Sequence, residues 1–108
     1  MTDVMKNLYT TIVERKANPI QNSYTNYLFD AGVDKICKKI GEEAAETILA
    51  AKNSNPSELV GEVSDLLYHL LVLLANESIS WNEVDAELTL RSGKIGNKKE
   101  FRNVDPNT

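Results

Sequence analysis

Apolar residues recur at intervals of three and four along most of the chain, and no stretch alternates strictly, so the pattern predicts helices rather than strands. The first covers about residues 3–16, with Val4, Leu8 and Ile12 four apart and Met5, Tyr9 and Val13 beside them; Asn18-Pro19 ends it. Ser23 can cap a short helix running to Phe29, which Gly32 closes in a left-handed conformation. A long helix over residues 33–53 carries the stripe Ile36, Ile40, Ala44, Ile48 and Ala51. Asn55, Pro56 and Glu58 then supply a cap, a first helical position and a capping-box acid for a helix over residues 56–76. After Asp65 this helix is apolar nearly all round, which predicts the most buried element of the fold. Ser80 and Glu83 form another capping box, stapled by Ile79 and Val84, and open a last helix over residues 81–91.

From Ser92 the periodicity fails, and residues 92–108 read as a polar tail holding Lys94, Lys98, Lys99 and Arg102. The expected organisation is therefore one domain over residues 1–91 followed by that tail. Short connections between neighbouring helices favour an all-α antiparallel bundle of four to five helices.

Composition narrows the partners. With 108 residues the core is modest, so a second chain could usefully cover more of it. A net charge of −4 argues against attraction to nucleic acid or an anionic membrane. The longest apolar run, residues 66–75, falls far short of the roughly 20 residues a membrane span requires. Residues 1–15 mix charges into their apolar positions, unlike a secretory signal, and the expected location is the cytoplasm. The single cysteine, Cys37, excludes an internal disulfide and a cysteine metal cluster, and reads as a small buried hydrophobe.

The chemistry lies in the acids. Glu42-Glu43-x-x-Glu46 stands on the long helix and Glu62-x-x-Asp65 on the next. At ~100° per residue, Glu43 and Glu46 share one side of their helix, as do Glu62 and Asp65. Glu46 lies nine residues before Asn55 and Glu62 seven after it, so antiparallel packing sets the two pairs at similar heights. Four carboxylates there repel one another unless a cation joins them. Such a ligand set suits Mg²⁺ or Mn²⁺, and the chemistry it suggests is hydrolysis of a phosphoanhydride. A di-iron centre would need a Glu-x-x-His motif from each of two helices, whereas His69 is the only histidine. His69 lies on the face of Glu62 and Asp65 but reads as a hydrogen-bonded core residue, not a ligand.

Three segments, residues 23–32 with Ser23-Tyr24-Thr25, residues 38–46 with Lys38-Lys39-Ile40-Gly41-Glu42-Glu43, and residues 65–71, resemble the phosphoribosyl-ATP pyrophosphatase family. The resemblance covers about residues 4–91 and places the chain among MazG-like all-α nucleotide pyrophosphatases. It implies that Glu43, Glu46, Glu62 and Asp65 bind Mg²⁺. The reaction it implies is cleavage of 1-(5-phosphoribosyl)-ATP to phosphoribosyl-AMP and pyrophosphate, the second step of histidine synthesis. It also implies a homodimer or larger assembly, with the cyclohydrolase of the next step on a separate protein.

Around the metal ligands, Glu42 and Glu43 are the candidate catalytic acids, with Glu42 about 100° away on the wheel. Lys39 is placed to meet a phosphate oxygen or to pair with Glu43. Ser23, Tyr24 and Thr25, with Arg91 and Lys94 from the tail side, are candidate substrate contacts. Two other readings stay open: hydrolysis of noncanonical nucleoside triphosphates by the same acids, and a non-enzymatic helical interaction module.

Overall fold

The computed structural model describes residues 3–95, which form five helices: α1 (Val4–Ala17), α2 (Tyr24–Ala31), α3 (Val33–Lys52), α4 (Pro56–Asn76) and α5 (Trp81–Ile95). No strand occurs among the described residues. The all-α reading holds, and the helix starts follow local chemistry. Asp3, Ser23 and Asn55 each accept a hydrogen bond from the third residue onward. Ser80 and Glu83 bond reciprocally, Ser80 N to Glu83 Oε2 at 2.9 Å and Glu83 N to Ser80 Oγ at 3.3 Å.

The helix ends are less expected. After α3, Ser54 N donates to Ala51 O and Asn55 N to Ala50 O; after α4, Ser78 N donates to Ala75 O and Ile79 N to Leu74 O. These are paired Schellman closures whose left-handed position is usually glycine. Here serines hold it, at φ 52° for Ser54 and 59° for Ser78. The helix expected to stop at Arg91 continues to Ile95, because Gly93 costs a helix only about 1 kcal/mol and does not by itself end one.

The core is Ile12, Leu28, Ile36, Leu71, Val72 and Ala75, one or more from each of α1 to α4, with Leu8, Phe29, Ile40 and Trp81 among the residues packed around it. Buried Asn26 locks the connection after α1: its side chain donates to Arg15 O at 2.7 Å and accepts from Ile20 N at 2.9 Å. α3 and α4 form the closest pair, joined by the turn at residues 53–55.

Two expectations about burial fail. On α3 the inward positions are Ile36, Ile40, Glu43, Thr47 and Ala50, while Ile48 and Ala51 face out, Ile48 at 62% exposure. Those inward positions repeat every four and three residues and keep one seam against α4, whereas Ile48 and Ala51 drift off it. Cys37 is exposed rather than buried, because it lies about 100° around the helix from buried Ile36. α4 contributes more buried residues than any other described helix, yet Val60, Val63, Leu67 and Leu70 on it remain exposed.

Candidate active site

Glu43 stands on the seam position of α3 that an apolar side chain would otherwise fill, and is only 7% exposed. Antiparallel packing brings the second turn of α4 against it. Glu43, Glu62 and Asp65 each present a carboxylate oxygen within 4.8 Å of the others, with Glu62 half-buried and Asp65 exposed. Glu46 is exposed and outside this trio, but it touches Glu62 closely enough to hydrogen-bond with it.

Ionised carboxylates can only accept hydrogen bonds, so they cannot satisfy one another. Glu43 Oε2 and Glu62 Oε2 are accordingly buried without a partner. Either a proton or a cation can relieve this. In the bare protein the Glu62 carboxyl is pushed up to about 7, first because its protonated form can donate to Glu46, then by desolvation and the same bond toward Glu43, with repulsion from both acids adding. Protonation thus competes with cation binding. Partnerless buried oxygens in an all-carboxylate set fit a hard divalent ion.

Lys39 lies one turn before Glu43. Its Nζ is 3.3 Å from Glu42 Oε1 and 3.9 Å from Glu43 Oε1, so it pairs with both acids. The hydrogen bond to Glu42 is the main reason its ammonium titrates above the usual lysine range. Glu42 is thereby held at the exposed rim, outside the trio.

The start of α2 borders this cluster. Ser23 Oγ accepts from Asn26 N at 3.2 Å and is occupied as the helix cap. Thr25 Oγ1 hydrogen-bonds the Tyr68 hydroxyl. The Tyr24 hydroxyl lies 2.9 Å from His69 Nε2, and His69 Nδ1 lies 2.7 Å from Asp65 O. Tyr24 stacks between Tyr27 and Tyr68, at centroid separations of 6.0 and 6.2 Å, and meets His69 edge-on at 5.8 Å. Partial burial, opposed by the nearby Lys39 charge, raises the Tyr24 phenol above its ordinary value, so it keeps its proton. Tyr24 remains 46% exposed.

The structure therefore brings Tyr24, Lys39, Glu43, Glu62 and Asp65 into one region, with Glu42 and Glu46 at its rim. It does not bring Arg91 there: Arg91 is exposed on α5 and pairs with Glu87 at 2.9 Å. The Lys94 side chain, and Lys98, Lys99 and Arg102, lie outside the described residues. The aromatic layer of Tyr27, Tyr68 and His69 was missing from the expected site. Its signal was His69 four residues after Asp65 on one helical face.

No helix among the described residues is long and apolar enough to cross a membrane. A family model described as phosphoribosyl-ATP pyrophosphohydrolase matches residues 5–92. The chain is 49% identical over 100 residues to a phosphoribosyl-ATP pyrophosphatase of Clostridium novyi, covering 93% of this chain and 91% of that one. It is 50% identical over 105 residues to one of Bacillus cytotoxicus, covering 97% and 98%. It is also 50% identical over 100 residues to the histidine biosynthesis bifunctional protein HisIE of Lactococcus lactis, covering 93% of this chain and 47% of that protein.

Proposed function

Since the chain belongs to the phosphoribosyl-ATP pyrophosphohydrolase family, it is a hydrolase that converts phosphoribosyl-ATP to phosphoribosyl-AMP and pyrophosphate in histidine biosynthesis, and we propose that the acids between α3 and α4 carry that reaction. The supporting observation is the pair of buried, partnerless oxygens of Glu43 and Glu62 beside Asp65. Glu43, Glu62 and Asp65 hold Mg²⁺, or Mn²⁺ in its place, and Glu46 assists from beside Glu62. When bound, the ion polarises phosphoryl oxygens and lowers the pKa of a bound water.

The remaining work falls to side chains of this chain. Glu43, fixed on the packed seam, orients the ligand set. Lys39, kept cationic by Glu42, offers a donor to a phosphate oxygen at the cluster's edge. Glu42 is exposed and free to exchange Lys39 for a proton, which suits it to accept one from the attacking water. Tyr24 and Thr25 border the nucleotide.

The reaction takes place in the cytoplasm, and the working form is a homo-oligomer. Ile48, Leu49 and Val60 are exposed by 62%, 59% and 67%. An apolar groove of about 320 Å³ runs between Met5, Leu67, Leu70, Trp81 and Leu88. Such surfaces are costly to leave in water. Sedimentation at micromolar concentration is expected to show a dimer or larger species; a stable monomer overturns the assembly.

The direct experiment is pyrophosphate release from phosphoribosyl-ATP with Mg²⁺ and with EDTA. Turnover only with Mg²⁺ is expected. Equal turnover of ATP or noncanonical triphosphates replaces the substrate reading with a general nucleotide pyrophosphohydrolase, and turnover that persists in EDTA removes the metal.

A further inference from the structure

We infer that His69 is a positioning residue that makes the Tyr24 hydroxyl a hydrogen-bond acceptor toward the bound nucleotide, so that Tyr24 reads a hydroxyl or N–H group of its sugar or base rather than a phosphate oxygen. The inference rests on the nucleotide-hydrolase reading above and adds a recognition element to it.

Polarity follows from the inventory of donors. Asp65 O, a main-chain carbonyl, can only accept, so His69 Nδ1, at 2.7 Å, must carry the proton. In the neutral imidazole Nε2 then holds a lone pair, and the only way to make the 2.9 Å contact with Tyr24 is for the phenol to donate. His69 is 4% exposed, so its ring has little solvent to turn to in place of the phenol. Its ring is also held edge-on between Tyr24 and Tyr68, at 5.8 and 5.0 Å. The phenol's one proton is committed inward. For any further partner the phenol oxygen has only its lone pairs to offer.

An acceptor is repelled by phosphate oxygens and matched by hydroxyl or amino donors. Tyr24 lies near Lys39 and Glu43, and since an acceptor there does not suit phosphate oxygens, the part of the nucleotide it matches is the uncharged one. Lys39 supplies the phosphate-facing donor and Tyr24 the acceptor. The same chain of bonds ends on the backbone of Asp65, so the acceptor is set in register with a residue of the acidic trio.

The test has two arms. In the wild-type protein at pH 8, ¹⁵N NMR of His69 is expected to show the Nδ1–H tautomer with a hydrogen-bonded Nε2, and Tyr24→Phe is expected to move the Nε2 resonance to its unbonded position. An Nε2–H tautomer overturns the proposal whatever the substrate proves to be. Kinetically, Tyr24→Phe is expected to raise KM for phosphoribosyl-ATP about tenfold, the worth of one hydrogen bond, with the larger part of the loss in KM rather than kcat. Product inhibition by pyrophosphate is expected to be unaltered. His69→Leu, which frees the phenol's proton but leaves its lone pairs, should lose part of what Tyr24→Phe loses, the double variant should be no worse than Tyr24→Phe, and His69→Gln, whose amide oxygen replaces the Nε2 acceptor, should restore most of the loss seen in His69→Leu. Weaker pyrophosphate inhibition in Tyr24→Phe makes the phenol a phosphate donor and overturns the proposal, as does an unchanged KM. If wild-type protein releases no pyrophosphate from phosphoribosyl-ATP, the substrate reading fails while the NMR arm still decides the polarity.

Discussion

The two halves of α4 do opposite work. Its second half puts Leu71, Val72 and Ala75 into a dry contact with Ile12, Leu28 and Ile36, and every side chain there gains from folding. Its first half puts Glu62 and Asp65 beside buried Glu43, and Glu43 and Glu62 each bury an oxygen that has lost water and found no partner. The difference teaches that the stability of this helix is supplied at one end and spent at the other. A site that repels itself is tolerable because the same rigid helix is anchored elsewhere.

The sharpest way to break that comparison is to neutralise an acid. Glu62→Gln is expected to lower turnover by about 10²–10³-fold, the scale of losing one preorganised electrostatic contact. Its metal-free melting temperature should nevertheless rise, because the amide can donate to Glu43 or Glu46 where the carboxylate could not. Mg²⁺ should no longer raise it further. A variant that is both inactive and less stable would mean that the acids contribute to the fold, and the division of α4 would be wrong.

The converse change is Leu71→Ala, in the anchoring half, which is expected to cost about 2–5 kcal/mol of stability in chemical denaturation. The protein that remains folded should keep its Mg²⁺ affinity. Loss of metal binding in the folded fraction would show that the halves are coupled.

This division was only partly legible in the sequence. Helix starts were, because Ser23, Asn55 and Ser80 act through bonds spanning three residues. The acidic pairs and their similar heights were too, since a short turn fixes them. The seam of α3 was not: choosing Ile48 and Ala51 by residue type missed that geometry keeps Glu43 and Thr47 inward. Cys37 was misplaced for the same reason. The bond from Tyr24 to His69 joins residues 45 apart in sequence, and nothing local announces it.

A gentler probe of the costly half is pH. The Glu62 carboxyl is raised from an ordinary 4.5 to about 7 in the folded, metal-free protein. Between those values the folded state holds a proton that the unfolded chain has released, so the stability of the metal-free protein should fall as pH rises from 4.5 to 7 and level off above. Mg²⁺ affinity should do the reverse, rising through pH 7 as the competing proton leaves. Calorimetric melting with and without Mg²⁺ checks both directions, and Glu62→Gln should flatten the metal-free curve. A wild-type profile already flat over this range would remove the shared proton.

The smallest expected effect asks whether backbone strain follows the same division. Ser54 ends α3 beside the turn into the acidic half of α4, and Ser78 ends the anchoring half; both sit left-handed at φ 52° and 59°. An L-residue there costs about 1–2 kcal/mol, and glycine removes that cost while adding about 0.5–1 kcal/mol of unfolded-state entropy. Both serines are exposed, so no packing is lost with the side chain. Ser54→Gly and Ser78→Gly should therefore each stabilise the protein by about 1 kcal/mol or less in denaturant titration, equally, with Mg²⁺ affinity unchanged. Equality is what the comparison demands if the burden of the first half resides in its carboxylates alone. If Ser54→Gly gains more than Ser78→Gly and weakens Mg²⁺ binding, the turn between α3 and α4 is part of what holds the acids together, and strain belongs with charge in the account of that half.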